Sequence, residues 1–564
     1  MLKRQNRLLI DTVLLGVVGA LSARLFSILL EWCQSFFLVW MAGYRPPALT
    51  AGVAAVGDLH GPWMLLVATT LGGLIAGALV YSLAPEAEGH GTDAAVDAFH
   101  NHAGKIRTRV PFVKMIASAI TIGSGGSAGR EGPTALISAG IGSIYARTFH
   151  RSEEDTRLLM LIGMAAGLSA IFRSPIGTAI FAVEVLYSET EFESGALVYT
   201  MLASIVAYAL NGVFVGFRPL FNVPAKLAAP DAKDYGWYIV LGIAGGAVAT
   251  ILPMALYRVR DLFHRIPCPP HFKPAIAGLL MGAVALKFPQ LLGGGYGWIQ
   301  AAIDGRIAAT LLLILAFGKI LTFALTIGSG GSGGVFAPSL YAGAMLGGFL
   351  GQICHQPPAA FAVVGMAAVF GGAARVPIAT LLMVTEMTGG YHLLAAAALS
   401  VILSSLVQKL LSANLKYKSL YEAQVPRRAY SPAHYLEQVR VALELLKTPG
   451  LAKDLGGKGL ELMSLLASGV PVTVTEGRQI RIGVLRPKSP CAGKTIESRC
   501  FGEIGNDLEL ILVLRDNRSL WPHPDLKLEA GDRLVTLASP SAWASLAPHL
   551  DHVAPATRKR AISD

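Results

Sequence analysis

The stretch 123–133 reads Gly123-Ser124-Gly125-Gly126-Ser127-Ala128-Gly129-Arg130-Glu131-Gly132-Pro133, between apolar runs at 115–122 and 135–144. A glycine-rich break, an arginine and a glutamate therefore sit inside chain of membrane-buried character. Irregular backbone at membrane depth is tolerated only where protein shields it or where it lines a polar cavity. An ionisable residue there is costly and marks a functional site by default. Glu131 is the first candidate.

The phrase occurs twice. Residues 114–127, KMIASAITIGSGGS, return as 319–332, KILTFALTIGSGGS, at an offset of 205 (319 − 114). Further on, GMAA at 163–166 returns at 365–368, Arg173-Ser174-Pro175-Ile176 as Arg375-Val376-Pro377-Ile378, and Glu184 as Glu386, at an offset of 202 (365 − 163). One small loop deletion accounts for the change in offset, so the chain is internally duplicated. Duplicated hydrophobic halves with glycine-broken segments at matching positions point to a transporter fold with its site between the repeats. The broken helices aim their N-termini at that site, where unpaired N–H groups and the positive end of the macrodipole face an anion. The copies differ at the centre: Arg130-Glu131 in the first is Val335-Phe336 in the second, while Pro133 and Pro338 stay. One half offers a titratable acid and the other an aromatic plug, which suggests two unlike gates.

Composition sets the class. Of 564 residues, 53% are hydrophobic and 15% charged, and apolar stretches lie at 8–38, 63–83, 158–186, 238–256, 307–326 and 393–411. Several exceed the roughly 20 residues that span a bilayer as a helix. The expected fold class is an all-α polytopic membrane protein set in the lipid bilayer, and its 62 glycines suit close helix packing. The first apolar segment is too long for the core of a cleavable signal. The net charge of +11 lies largely in flanks, with Lys3, Arg4 and Arg7 before the first span and Lys409, Lys416, Lys418, Arg427 and Arg428 after the last. That placement reads as positive-inside topology, with both termini cytoplasmic at the cell (inner) membrane, and not as nucleic-acid binding. Five scattered cysteines without CxxC spacing imply neither disulfides nor zinc. No metal and no other cofactor is expected.

Residues 1–425 are expected to form the membrane domain, with repeats at about 8–216 and 235–410 and a proline-containing loop at 217–235 between them. A basic linker with amphipathic helices follows over 412–470, its helical part at 426–470 carrying an apolar stripe of Val439, Leu443 and Leu446. From about Pro471 the texture becomes that of a soluble module, expected at 471–550. Strands are expected at 480–485, 508–514 and 533–537, with a turn at 515–518. The tail 551–564 is expected to be disordered.

Three segments now bring a family into view. Residues 129–133, GREGP, match a motif of the CLC family of chloride channels and chloride/proton antiporters. Residues 334–338, GVFAP, match its GxFxP inside the longer signature 328–340, GSGGSGGVFAPSL, and Ser419-Leu420-Tyr421 stands where the family places an inner-mouth tyrosine. The chain resembles that family over about residues 1–425. The resemblance implies two inverted repeats with broken helices meeting at mid-membrane, a homodimer with one anion pathway per subunit, chloride or another small anion as substrate, and protons as the counter-substrate in antiporter members. Glu131 would be the gating glutamate, a carboxylate that competes with chloride and is released on protonation. Phe336 would offer a backbone amide and Tyr421 its hydroxyl, although either residue alone would read as packing. The implied anion-binding set is Gly89, His90, Gly91, Arg130, Glu131, Gly132, Val335, Phe336, Ala337 and Tyr421.

Two departures bear on function. Residues 89–93 read GHGTD where the family has GSGIP, so His90 replaces a serine and Asp93 a proline. His90 either donates to, or carries a proton beside, an anion, or it caps a helix at the cytoplasmic mouth. Chloride selectivity is open on that account. Antiporters of the family also carry a second glutamate as an internal proton relay. Aligning 172–175, FRSP, and 181–184, FAVE, puts Val185 at that position, while Glu184 and its mate Glu386 read as structural. Valine cannot pass a proton. The first expectation is therefore a chloride channel gated by a glutamate, with a proton-coupled chloride/proton antiporter as the alternative.

The C-terminal module resembles the TrkA C-terminal (RCK-C) type through 489–495, 511–515, 522–525 and 528–532. Such small α+β modules bind small ligands or pair with one another and regulate transport. With no phosphate-cradling loop in sight, the ligand is unknown. Two rival classes fare worse. Gly125-Gly126-Ser127-Ala128-Gly129 fits the nucleophile elbow of serine hydrolases, but that motif needs a preceding strand, an acid and a histidine. Here it lies in membrane chain, and no enzyme is expected. A ligand-sensing receptor without ion flux has no need of a titratable gate.

Overall fold

The computed structural model describes residues 2–47, 61, 63–224, 230–428, 431–434, 472–473, 479–487, 489–496, 508–515, 518–520, 522–523, 525–546 and 550–551. The chain divides into two units, Met1–Ala433 and His434–Asp564.

In the first unit the helices come in repeat-related pairs. α1 (Leu2–Gln34), which runs on into a π-helical turn at Ser35–Met41, corresponds to α9 (Tyr235–Arg265). α2 (Trp63–Leu83) corresponds to α10 (Lys273–Ala285), α3 (Thr92–Asn101) to α11 (Tyr296–Ile303), and α4 (Arg109–Gly123) to α12 (Ala309–Gly328). α5 (Glu131–Thr148) and α13 (Phe336–Ile353) match residue for residue, each 18 residues long. α6 (Glu153–Phe172) pairs with α14 (Pro358–Ala374), α7 (Pro175–Glu184) with α15 (Pro377–Thr388), and α8 (Ser194–Val215) with α16 (Leu394–Ser412). Within each half, α5 packs on α6 and α13 on α14; between the halves, α2 meets α10 and α7 meets α15. Among the described residues, seven helical segments are long and apolar enough to cross a membrane. The fold is that of an all-α polytopic membrane protein built from two inverted repeats with broken helices.

The breaks have local causes. The apolar run at 158–186 is two helices, because Arg173 adopts a left-handed φ of 55° and Pro175 opens α7. Arg375, at φ 57°, and Pro377 do the same before α15. A left-handed residue ends a helix, and a proline at the first helical position starts the next without losing a hydrogen bond.

The described part of the linker is mostly irregular, with a short 3-10 helix at Pro432–His434. Residues 413–427 run without helix, and their middle is tied to the membrane unit: the Leu420 N–H donates to Ala373 O (2.9 Å), and the Tyr257 hydroxyl donates to Leu420 O (2.7 Å). Residues 435–470, with the expected stripe of Val439, Leu443 and Leu446, lie outside the described residues, as does the tail from 552 on.

The second unit holds a small antiparallel sheet. β1 (Val472–Thr473), β2 (Gln479–Leu485), β3 (Leu508–Arg515), β4 (Arg518–Leu520) and β5 (Arg533–Ala538) are ordered β1-β2-β5-β3-β4, and β6 (Leu550–Asp551) pairs with β2. α17 (Pro540–Leu546) contributes Trp543 and Leu546 to a core with Leu485, Val513, Leu534 and Leu550. The expected turn at 515–518 closes the β3–β4 hairpin, in which Arg515 faces Arg518; its two central residues lie outside the described ones.

Candidate functional site

Three helices begin around one small cavity. Glu131 starts α5, Phe336 starts α13 and Thr92 starts α3. The repeats are stitched together beside it: the Gly129 N–H donates to Gly334 O (2.8 Å) and the Gly334 N–H to Gly129 O (2.7 Å). The approach is close enough to require glycine, since a Cβ on Gly334 would stand 2.8 Å from both Gly129 O and Gly132 N. Gly91, at φ 83°, is equally constrained, with Gly132 O 2.7 Å from its Cβ position. Converging helix N-termini make such a spot attractive to an anion, through both the macrodipole and the unpaired amides.

The Glu131 carboxylate already lies in that environment. Glu131 is 2% exposed, and neither carboxylate oxygen makes a hydrogen bond of normal geometry. The N–H groups of Ala337 and of Glu131 itself are nonetheless near enough to act on it. The carboxylate folds back over Gly129, where a Cβ would stand 2.2 Å from Oε2. It therefore sits against the first turn of the opposite repeat's α13.

Thr92, Gly132, Val335, Phe336 and Tyr421 line the cavity with Glu131, and Leu168, Phe172 and Phe181 close it with apolar wall. The Phe336 ring is held by Phe370 and Phe172, at centroid distances of 4.0 and 4.4 Å. Tyr421 is 2% exposed, and its side chain reaches that of Thr92. Its backbone is fixed from both sides, because the Tyr421 N–H donates to Ser419 Oγ (3.2 Å) and the Ala423 N–H to Asp93 Oδ1 (2.8 Å).

Other sequence-derived candidates stand elsewhere. Gly89 turns its carbonyl away to accept from Lys114 Nζ (2.7 Å) and the Gly333 N–H (3.1 Å). The His90 ring does not line the cavity; it lies 5.5 Å from the Tyr421 ring at a 57° tilt, and its buried Nδ1 has no hydrogen-bond partner. The Arg130 side chain leaves the cavity for the face of Tyr296, 5.1 Å from the ring centroid. Val185 is fully buried, and its carbonyl accepts from Gln424 Nε2 (3.0 Å). Ser127, the serine of the hydrolase-like motif, accepts from the Thr322 hydroxyl (3.1 Å). The sequence-derived set misses the apolar wall of Leu168, Phe172 and Phe181 and one polar cavity residue, Thr92. Its only sequence signal is a hydroxyl at the fourth position of GHGTD, where the family motif has isoleucine. Among the described residues, no group of three or more His, Cys, Asp or Glu is placed to hold a metal ion.

The profile of the voltage gated chloride channel family matches residues 72–409, and that of the TrkA-C domain matches 483–550. An H(+)/Cl(-) exchange transporter ClcA of Yersinia pseudotuberculosis is 30% identical over 433 residues, covering 74% of this chain and 87% of the relative. A voltage-gated ClC-type chloride channel ClcB of Salmonella typhimurium is 28% identical over 425 residues, covering 74% and 98%. The crystal structure of a slow cyanobacterial Cl-/H+ antiporter superposes with a TM-score of 0.62 at 22% identity, covering 77% of this chain and 97% of that one.

Proposed function

Since the chain belongs to the voltage gated chloride channel family and carries a TrkA-C domain, we propose that it exchanges chloride for protons. It does so as a homodimer in the cell (inner) membrane, with one pathway per subunit, both termini cytoplasmic, and a small ligand of the C-terminal domain regulating it. The observation that carries this reading is the Glu131 carboxylate against Ala337 at the start of α13. A carboxylate there imitates the anion. Protonation removes its charge and its claim on the helix terminus, and chloride takes the place. One group thereby ties proton occupancy to anion occupancy.

The channel reading, which Val185 favours, has less behind it. The Yersinia relative, of which this chain covers the larger part, is named an exchange transporter, and an apolar Val185 removes one proton donor without removing the acceptor. The proton route to Glu131 then bypasses Val185. The test is purified protein in liposomes under a chloride gradient, recording chloride efflux and external pH together. Protons driven uphill by chloride are expected. Fast chloride efflux with no uphill proton movement would return the assignment to a channel.

A further inference from the structure

An anion that leaves water must find donors to replace those it loses, since a charge buried without them is expensive. Around this cavity side-chain donors are few. Leu168, Phe172 and Phe181 offer none. The N-terminal dipole of α3 is opposed by Asp93 in its first turn, and one oxygen of that carboxylate is engaged by the Ala423 N–H (2.8 Å). His90, in the position of the family's serine, turns its ring against that of Tyr421 and does not line the cavity.

Thr92 is placed differently. It is 3% exposed, stands at the first position of α3, and lines the cavity together with Tyr421, whose side chain it meets. The preceding Gly91 holds a φ of 83°, which fixes the start of the helix, and with it Thr92, against Gly132. A threonine hydroxyl and a phenol each donate one hydrogen bond and rotate to suit.

From this juxtaposition we infer that Thr92 Oγ1 coordinates the transported anion beside the Tyr421 hydroxyl that the family resemblance already implies, so that Thr92 supplies the hydroxyl lost at His90. His90 is a positioning residue that holds the Tyr421 ring. The inference rests on the transport reading above and deepens it by naming a ligand of the anion. It also gives a physical sense to the GHGTD sequence, in which the hydroxyl moves two positions along the turn.

The experiment compares full-length wild type with Thr92→Val, which swaps the hydroxyl for a methyl at nearly constant shape, and with Thr92→Ser and His90→Ala. Thr92→Ala takes the place of the valine variant if that one aggregates. Calorimetric chloride binding and chloride flux in liposomes are the readouts. The expected result is a chloride affinity about tenfold weaker in Thr92→Val, the scale of one hydrogen bond to a charged group. Thr92→Ser should stay close to wild type, and His90→Ala should lose less than Thr92→Val. Unchanged chloride affinity in Thr92→Val, with wild type binding and moving chloride, overturns the assignment alone. The larger loss in His90→Ala does so too. A wild type that binds and moves no anion overturns the transport reading, and the assignment with it.

Discussion

Glu184 and Glu386 cap each other's helices across the two repeats. Glu184, at the end of α7, accepts from the N–H groups of Ile378 (3.2 Å) and Ala379 (2.7 Å) at the start of α15. Glu386, in α15, accepts from those of Ile176 (3.2 Å) and Gly177 (2.9 Å) at the start of α7, and from the Ser174 hydroxyl (2.5 Å). Each carboxylate satisfies orphan amides and opposes the positive end of the other repeat's helix. The exchange is symmetric, and it commits both acids to structure.

Glu184→Ala should accordingly be a stability variant. The buried Ala379 N–H would be left without its acceptor, at about 1–3 kcal/mol, the part-buried Ile378 N–H would lose its own at a smaller cost, and the thermal midpoint in detergent should fall. Glu184→Gln keeps one acceptor oxygen and should fall about half as far, with proton movement retained. Loss of proton movement at an unchanged midpoint would instead make Glu184 a proton carrier.

Lys114 and Lys319 are a second repeat pair with one job in each half. Lys114 Nζ donates to Ala87 O (3.0 Å) and Gly89 O (2.7 Å), and Lys319 Nζ to Leu291 O (3.0 Å) and Gly293 O (2.6 Å). Only the first loop leads into Thr92 and the cavity. Lys114→Met and Lys319→Met should lower the thermal midpoint to similar extents, while chloride affinity falls in Lys114→Met alone. Equal losses of affinity would show that the two loops act on the site alike.

Much of this architecture is legible in the sequence, because a duplicated fold repeats its exceptions as well as its rules. The 205-residue offset of KMIASAITIGSGGS also separates the first residues of α5 and α13, Glu131 and Phe336. Arg173 and Arg375 stand in left-handed conformation before Pro175 and Pro377, where an arginine in each copy gives little local warning. The cavity is less legible. Motif comparison assigns roles by position along the chain, whereas the turn at Gly91 decides which of His90 and Thr92 faces inward. Arg130 adjoins the gate in sequence, yet its side chain turns to Tyr296, a residue 166 positions away (296 − 130).

The C-terminal sheet carries an ionic contact beside its apolar core. Asp532, 1% exposed, accepts from Arg515 Nε (2.7 Å), Arg515 Nη2 (2.8 Å) and the Glu529 N–H (2.8 Å). Without the carboxylate the Glu529 N–H loses its acceptor and Arg515 keeps Glu529 and Lys527 O, a loss of about 1–3 kcal/mol. Asp532→Ala should open β2, β3 and β5 to hydrogen exchange in the full-length protein, while the amides of α5 and α13 keep their protection. Unchanged exchange in the three strands would mean that the apolar core around Leu485 and Trp543 holds the sheet without the pair.

Glu131 and Val185 separate the gate from the route that feeds it. Glu131→Gln keeps the shape of the side chain and removes its titration, so chloride should still move while proton movement stops. Val185→Glu places a carboxylate at a fully buried position whose carbonyl is already held by Gln424. The buried charge should lower the thermal midpoint, yet a donor at that position should raise the rate of proton uptake several-fold if the proton step limits turnover. The double variant distinguishes the two roles. With Glu131 as the obligatory acceptor it moves no protons, whatever Val185→Glu contributes, and pH recordings on liposomes under a chloride gradient read this directly. Proton movement in the double variant would put the coupling acid somewhere other than Glu131.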